Sequence, residues 1–108
     1  MSNMELAELV RAGDPYRGRA VFELGDRAAT DDAAATVLGE LTKLPIVRND
    51  TFHRMSLAWA AIIALLAAET PHARDAAYRS FVALGESDQR DLLDYLRCDQ
   101  IQNAHPQV

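Results

Sequence analysis

"GDPYRGRAVFELGDRA", residues 13–28, is the stretch on which the reading of the whole chain turns. Gly13 ends whatever precedes it, Asp14 is a good helix N-cap, and Pro15 suits the first helical position, where its missing N–H would have had no partner. Beyond them Tyr16, Ala20, Val21, Leu24 and Ala28 recur at helical spacing, which predicts a helix with one apolar face. Arg17 stands between the cap and that face. Its position poses the functional question: a side chain there either meets a ligand or ties the helix start to its neighbours.

The same grammar repeats in both directions. Ser2 and Glu5 have capping-box spacing ahead of Leu6, Leu9 and Val10, which predicts a first helix over residues 3–12. Thr30, Asp31 and Asp32 place a cap and negative charge before Ala34, Val37, Leu38 and Leu41, a third helix ending near Leu44, before Pro45. "PIVRND" reads as the longest connection. Asn49 or Asp50 then caps a long helix with Phe52, Met55, Trp59, Ile62, Ile63 and Leu66 on one broad face. Thr70 and Pro71 open a fifth helix with Ala73, Ala77, Phe81 and Leu84, stopped by Gly85, and Ser87 caps a sixth with Leu92, Leu93 and Leu96. No stretch alternates as a strand should. The prediction is a single all-α domain over residues 1–98, with five to six antiparallel helices, and a loose polar tail over 99–108.

Bulk properties narrow the function. A chain of 108 residues buries enough surface to fold without a staple. Its lone cysteine, Cys98, excludes an internal disulfide framework, and the first residues lack the basic-then-apolar pattern of an export signal, so the expected location is cytoplasmic. The longest apolar run, Leu57 to Ala68, is too short to span a bilayer, which needs about 20 residues, and predicts a buried helix rather than a membrane partner. A net charge of -5 disfavours nucleic acid, whose binding rests on clustered Lys and Arg.

Short connections leave two topologies: a closed helical bundle or an open stack of hairpins. "DPYRGRA" (14–20) and "TPHARDA" (70–76) share a cap followed at once by proline, then an arginine and a small apolar residue; "NDTFHRMSLA" (49–58) carries a weaker version with Asp50 and Arg54. This recurrence resembles the HEAT-like repeats of phycocyanobilin lyases and many bacterial proteins. Residues 14–26 carry it best, with Tyr16 where valine is usual. The resemblance covers about residues 14–85 and implies an α-α superhelix, here irregular because Arg17, Arg54 and Arg74 are unevenly spaced. It also implies that the aspartates and arginines, Asp14, Arg17, Asp50, Arg54 and Arg74, form hydrogen-bonded ladders between stacked repeats. In the lyases an acid and aromatic residues handle a bilin, but no residue-by-residue match to such a site exists in this chain.

Other chemistry-bearing residues are weighed against plain packing. An Asp at a cap and an Arg one turn later can bond each other and the free backbone groups of a helix end, which favours a structural role for Arg17 over an anion-binding groove of Arg17, Arg54 and Arg74. None of His53, His72 and His105 stands three or four residues from another histidine or from Cys98, so no metal site is predicted. Cys98 lacks a neighbour that would activate it. Asp88, Asp91 and Asp94 interleave with Arg90 and Arg97 as a solvated face does. Trp59 reads as core, and Gly18, Gly25 and Gly39 as places of close helix approach. The expectation is a non-catalytic HEAT-like module, without cofactor, that binds another protein or itself, with a terminal helix contributing to a symmetric dimer. Two alternatives stand: a small-ligand protein or enzyme with a pocket at Trp59, Tyr16, Tyr78 and His53, and the arginine-lined anion or nucleic-acid groove.

Overall fold

A computed structural model describes residues 1–52 and 55–106, and among them the chain forms seven α-helices, one two-stranded ribbon and a terminal 3-10 turn. The helices are α1 (Asn3–Arg11), α2 (Arg17–Ala28), α3 (Asp32–Leu41), α4 (Pro45–Asn49), α5 (Leu57–Ala67), α6 (Pro71–Val82) and α7 (Glu86–Leu96). Among the described residues no helix is long and apolar enough to cross a membrane.

Local chemistry sets the boundaries. In α1 the capping box forms: the Ser2 hydroxyl accepts from the Glu5 N–H at 3.1 Å, and the Glu5 carboxylate accepts from the Ser2 N–H at 3.0 Å. These bonds hold the Glu5 carboxyl below its ordinary range, the backbone donor first and the hydroxyl second. Gly13 closes α1 at φ +68°, with its own N–H on Val10 and the Asp14 N–H on Leu9. That paired pattern needs the left-handed conformation a glycine adopts freely. Asp14 spends its carboxylate on the Tyr16 N–H at 2.8 Å, forming a turn, so α2 begins two residues later than expected, at Arg17. Asp31, rather than Thr30, caps α3 through the Ala33 N–H. A bond from the Asn3 amide, with that N–H behind it, holds the Asp31 carboxyl below its ordinary range.

The connection expected over "PIVRND" is instead the short helix α4, started by Pro45 at its first position. The long helix expected from Asn49 does not begin there. Residues 51–52 and 55–56 pair antiparallel, and Ser56 caps α5 by accepting from the Trp59 N–H at 3.1 Å. Phe52 and Met55 thus belong to the ribbon, and the expectation of a chain without any sheet fails at this one point. Thr70 and Pro71 open α6 as their spacing predicts. Gly85, not Ser87, precedes α7.

Two hairpins make the body. α2 with α3 forms one and α5 with α6 the other; they lie side by side, α2 against α5 and α3 against α6, with α1 over the first hairpin. α5 is apolar nearly all round because it is enclosed by α2, α3, α4 and α6. Ile62, Leu65 and Leu66 are fully buried with Leu24, Leu38 and Leu41, whereas Met55 and Ile63 are half-buried. Backbones approach closely where the hairpins meet. A Cβ on Gly25 of α2 would stand 2.6 Å from the Ala64 Cβ of α5, and one on Gly39 of α3 would stand 3.4 Å from the Ala76 Cβ of α6. Gly18, in contrast, faces open space.

The tail differs from the expectation of a loose segment. Ile101 and Ala104 are buried in the core, and carbonyls of this segment accept from Arg74 on α6. The apolar stripes of the terminal helices are likewise covered within the chain: Leu6, Val10 and Leu92 are fully buried, and Leu9, Leu93 and Leu96 are half-buried.

Candidate functional site

Arg17 is half-buried at the start of α2. Its Nε donates to Asp50 Oδ2 at 2.6 Å, and its Nη1 donates to the Asp14 carbonyl at 3.2 Å. Asp50 in turn gives its carbonyl to the Leu57 N–H that begins α5. One guanidinium therefore links the turn before α2 to the residue whose backbone holds the start of α5. A planar fork suits this, since it serves two acceptors in different directions at once.

Arg74 does comparable work elsewhere. Its side chain is 13% exposed, and it donates to Tyr78 Oη at 2.8 Å and to the carbonyls of Leu66, Gln102 and Ala104 at 3.0–3.3 Å. The guanidinium also lies 5.4 Å from the Tyr78 ring centroid. Arg74 thus pins the terminal segment to the α5–α6 corner and shares no partner with Arg17. His53 and Arg54 lie outside the described residues. The expected groove of Arg17, Arg54 and Arg74 includes a residue outside the described ones; Arg17 and Arg74 each bond acceptors of their own.

The described aromatic residues of the expected ligand pocket each have partners of their own. Trp59 is 9% exposed, its indole N–H donates to Asp88 Oδ1 at 2.8 Å, and its ring centroid is 6.1 Å from that of Tyr95 on α7. Asp88 is therefore a hydrogen-bond anchor for the core tryptophan and not only part of a solvated face. Tyr78 is held by Arg74. Tyr16, expected on the core face of α2, is 40% exposed and carries Arg19 over its ring at 5.8 Å. Trp59 and Tyr78 line none of four surface grooves formed among the described residues.

The grooves share a feature the sequence reading missed. Three run along the outer side of α2, and Phe22 lines all three. One of about 310 Å³ also has Arg17, Arg19, Asp50 and Leu57; one of about 400 Å³ has Tyr16, Arg19, Glu23 and Asp26; one of about 190 Å³ has Gly25, Ala29, Ala64, Ala67 and Ala68. Phe22 is 44% exposed. The signal was present, since Phe22 falls off the Ala20–Leu24–Ala28 face by helical geometry. The fourth groove, of about 110 Å³, lies between α3 and α6, where His72 Nε2 sits 2.7 Å from the Thr36 hydroxyl. That hydroxyl already donates to the Asp32 carbonyl, so the imidazole is the donor. The other charges around it are consumed in pairs, Lys43 with Glu40 and Arg79 with Asp75.

Burial pushes the Cys98 thiol up, Asp99 adding to the effect, so the protonated form dominates at neutral pH. Ser80, buried, gives its hydroxyl to the Gly39 carbonyl at 3.4 Å. Among the described residues no three His, Cys, Asp or Glu side chains cluster as metal ligands would. Arg48 is a further structural cation missed in the sequence; it donates to the Thr42 and Ala83 carbonyls and ties α4 to the end of α6. No protein-family model, curated protein or solved structure matches this chain.

Proposed function

We propose that the chain is a non-catalytic protein–protein interaction module of HEAT-like type, whose contact surface is the outer face of α2 and the adjoining groove to α5. The observation that carries this reading is the pair of exposed rings, Tyr16 at the N-cap of α2 and Phe22 within it, set among open grooves rather than over a closed cavity. Isolated exposed apolar side chains need no explanation, but neighbouring rings rimmed by charge mark contact surfaces. Small-ligand sites differ: they enclose most of the ligand and converge polar groups on it. The repeat assignment draws support from the two hairpins lying in register, α2 on α5 and α3 on α6, and from Arg17 bridging the start of one to the start of the other.

The test is site-specific photo-crosslinking in the native host, with the photoreactive residue at Phe22 or, as a control face, at Arg90 on α7. A discrete adduct formed from position 22 and not from 90, and abolished by Asp26→Arg, supports the reading. Equal adducts from both positions, or none from either, overturn it.

A further inference from the structure

We infer that the occupant of the α2 face is a second copy of this chain, docked with the two α2 helices antiparallel about a two-fold axis midway between Arg19 and Asp26. This rests on the reading of that face as an interaction surface and names its partner. Charge accounting along α2 carries it. The helix has five charged residues, and three are consumed within the chain: Arg17 by Asp50, and Arg27 by Glu23 at 2.9 Å. Arg19 and Asp26 are both exposed, and neither enters an ion pair among the described residues. They are seven positions apart, about 10.5 Å along the axis at 1.5 Å per residue and almost in line on its surface, too far to pair with each other.

An antiparallel two-fold turns that separation into complementarity. The Arg19 of each copy meets the Asp26 of the other, so the contact closes with two ion pairs from one patch, the isologous pattern that ends at a dimer rather than a fibre. A parallel arrangement in register would instead set Arg19 against Arg19 and Asp26 against Asp26. Shape agrees with charge. Phe22 lies beside the axis, so the two rings come together there. The adjoining groove of about 190 Å³, floored by Gly25, Ala29, Ala64, Ala67 and Ala68, has room for a phenyl ring, since a cavity of about 150 Å³ admits benzene. At its floor Gly25 lets α2 and α5 approach closely. Arg19 is already stacked on Tyr16, which reduces the freedom it loses on pairing.

Sedimentation equilibrium on the intact chain tests this with Arg19→Asp, Asp26→Arg, the two variants mixed, and the double reversal, each checked for an unchanged circular dichroism spectrum and melting point. The parent dimerises reversibly at micromolar concentration. Each single reversal sets like charges opposite one another twice and weakens self-association at least about tenfold. Mixing the single variants restores dimers, because the carboxylate introduced at position 19 of one copy then faces the guanidinium introduced at position 26 of the other. The double reversal restores the homodimer. A parent that stays monomeric at high micromolar concentration overturns the second copy as occupant, while discrete crosslinks from position 22 keep the interaction reading. A dimer indifferent to the single reversals, or one not restored by mixing, overturns the antiparallel α2 contact.

Discussion

Replacing Gly25 by alanine tests the close crossing of α2 over α5, on which both the fold and the proposed surface depend. The new methyl would lie 2.6 Å from the Ala64 Cβ, where carbon atoms rest at about 3.5–4.0 Å, so the two helices must part by roughly 1 Å. Neither atom can swing away, since each Cβ is fixed by its backbone, and overpacking of this kind costs about 1–3 kcal/mol. Against that, alanine gains about 0.8–1.0 kcal/mol of helix propensity over glycine. An approach of 2.6 Å between two backbone-fixed carbons puts the overpacking cost in the upper part of its range, so the crossing should dominate and leave Gly25→Ala less stable by about 1–2 kcal/mol, a fall of roughly 5–15 °C in Tm. Ala64→Gly alone should lose about 1 kcal/mol of propensity. Combined, they should recover, because the Cβ at 25 would then meet Leu38 Cδ2 at 3.9 Å and the residue 64 Cα at 4.0 Å, both in ordinary contact. The double variant is expected within about 1 kcal/mol of the parent, a clear non-additivity. Gly39→Ala supplies the contrast, neutral to about 1 kcal/mol more stable, because its nearest neighbour stands at 3.4 Å, the edge of ordinary contact, and little offsets the propensity gain. The assay is thermal and urea unfolding of the parent and these variants. A Gly25→Ala variant as stable as the parent, or a double variant showing the simple sum, would refute the crossing.

Arg17→Ala should cost about 1–2 kcal/mol, discounted for a pair whose side chains are 31% and 25% exposed, and Arg17→Lys should recover only part; unchanged melts in both would dissolve the structural role. Trp59→Ala should cost about 3–5 kcal/mol, and Asp88→Ala should destabilise by less, since it removes the indole's acceptor and leaves the ring in place. Arg97 ends α7 at φ +57°, a conformation that costs a side chain about 1 kcal/mol, so Arg97→Gly should raise Tm. Glu5 and Asp31 both have lowered folded pKa values, so their share of stability is present above the ordinary carboxylate range and disappears as pH falls through the lowered values. Carboxyl-detected NMR titration should show Asn3→Ala moving Asp31 upward and leaving Glu5 unchanged.

What the sequence determined by itself is what short-range chemistry encodes. Ser2 with Glu5, and Thr70 with Pro71, start helices because their bonds reach no further than one turn. The run from Leu57 to Ala67 is apolar on every side and was bound to lie inside, whatever covered it. Helical content and burial of the leucine faces follow from periodicity alone. Even the exposure of Phe22 was latent in its angular position. Tertiary structure decided everything that depends on a partner distant in sequence. Asp50 rather than the Asp14 carboxylate receives Arg17, because packing α2 on α5 brings a residue 33 positions away within reach. Asp88 serves Trp59 because α7 brings Asp88 and Tyr95 to the indole. The ribbon of 51–52 with 55–56 displaces the first turns expected of α5, and the polar tail seats Ile101 in the core while Arg74, on α6, donates to carbonyls of that segment. Caps and periods act within a turn and can be read along the chain. Ion pairs, close approaches and grooves are relations between surfaces, and those surfaces exist only once the hairpins have packed.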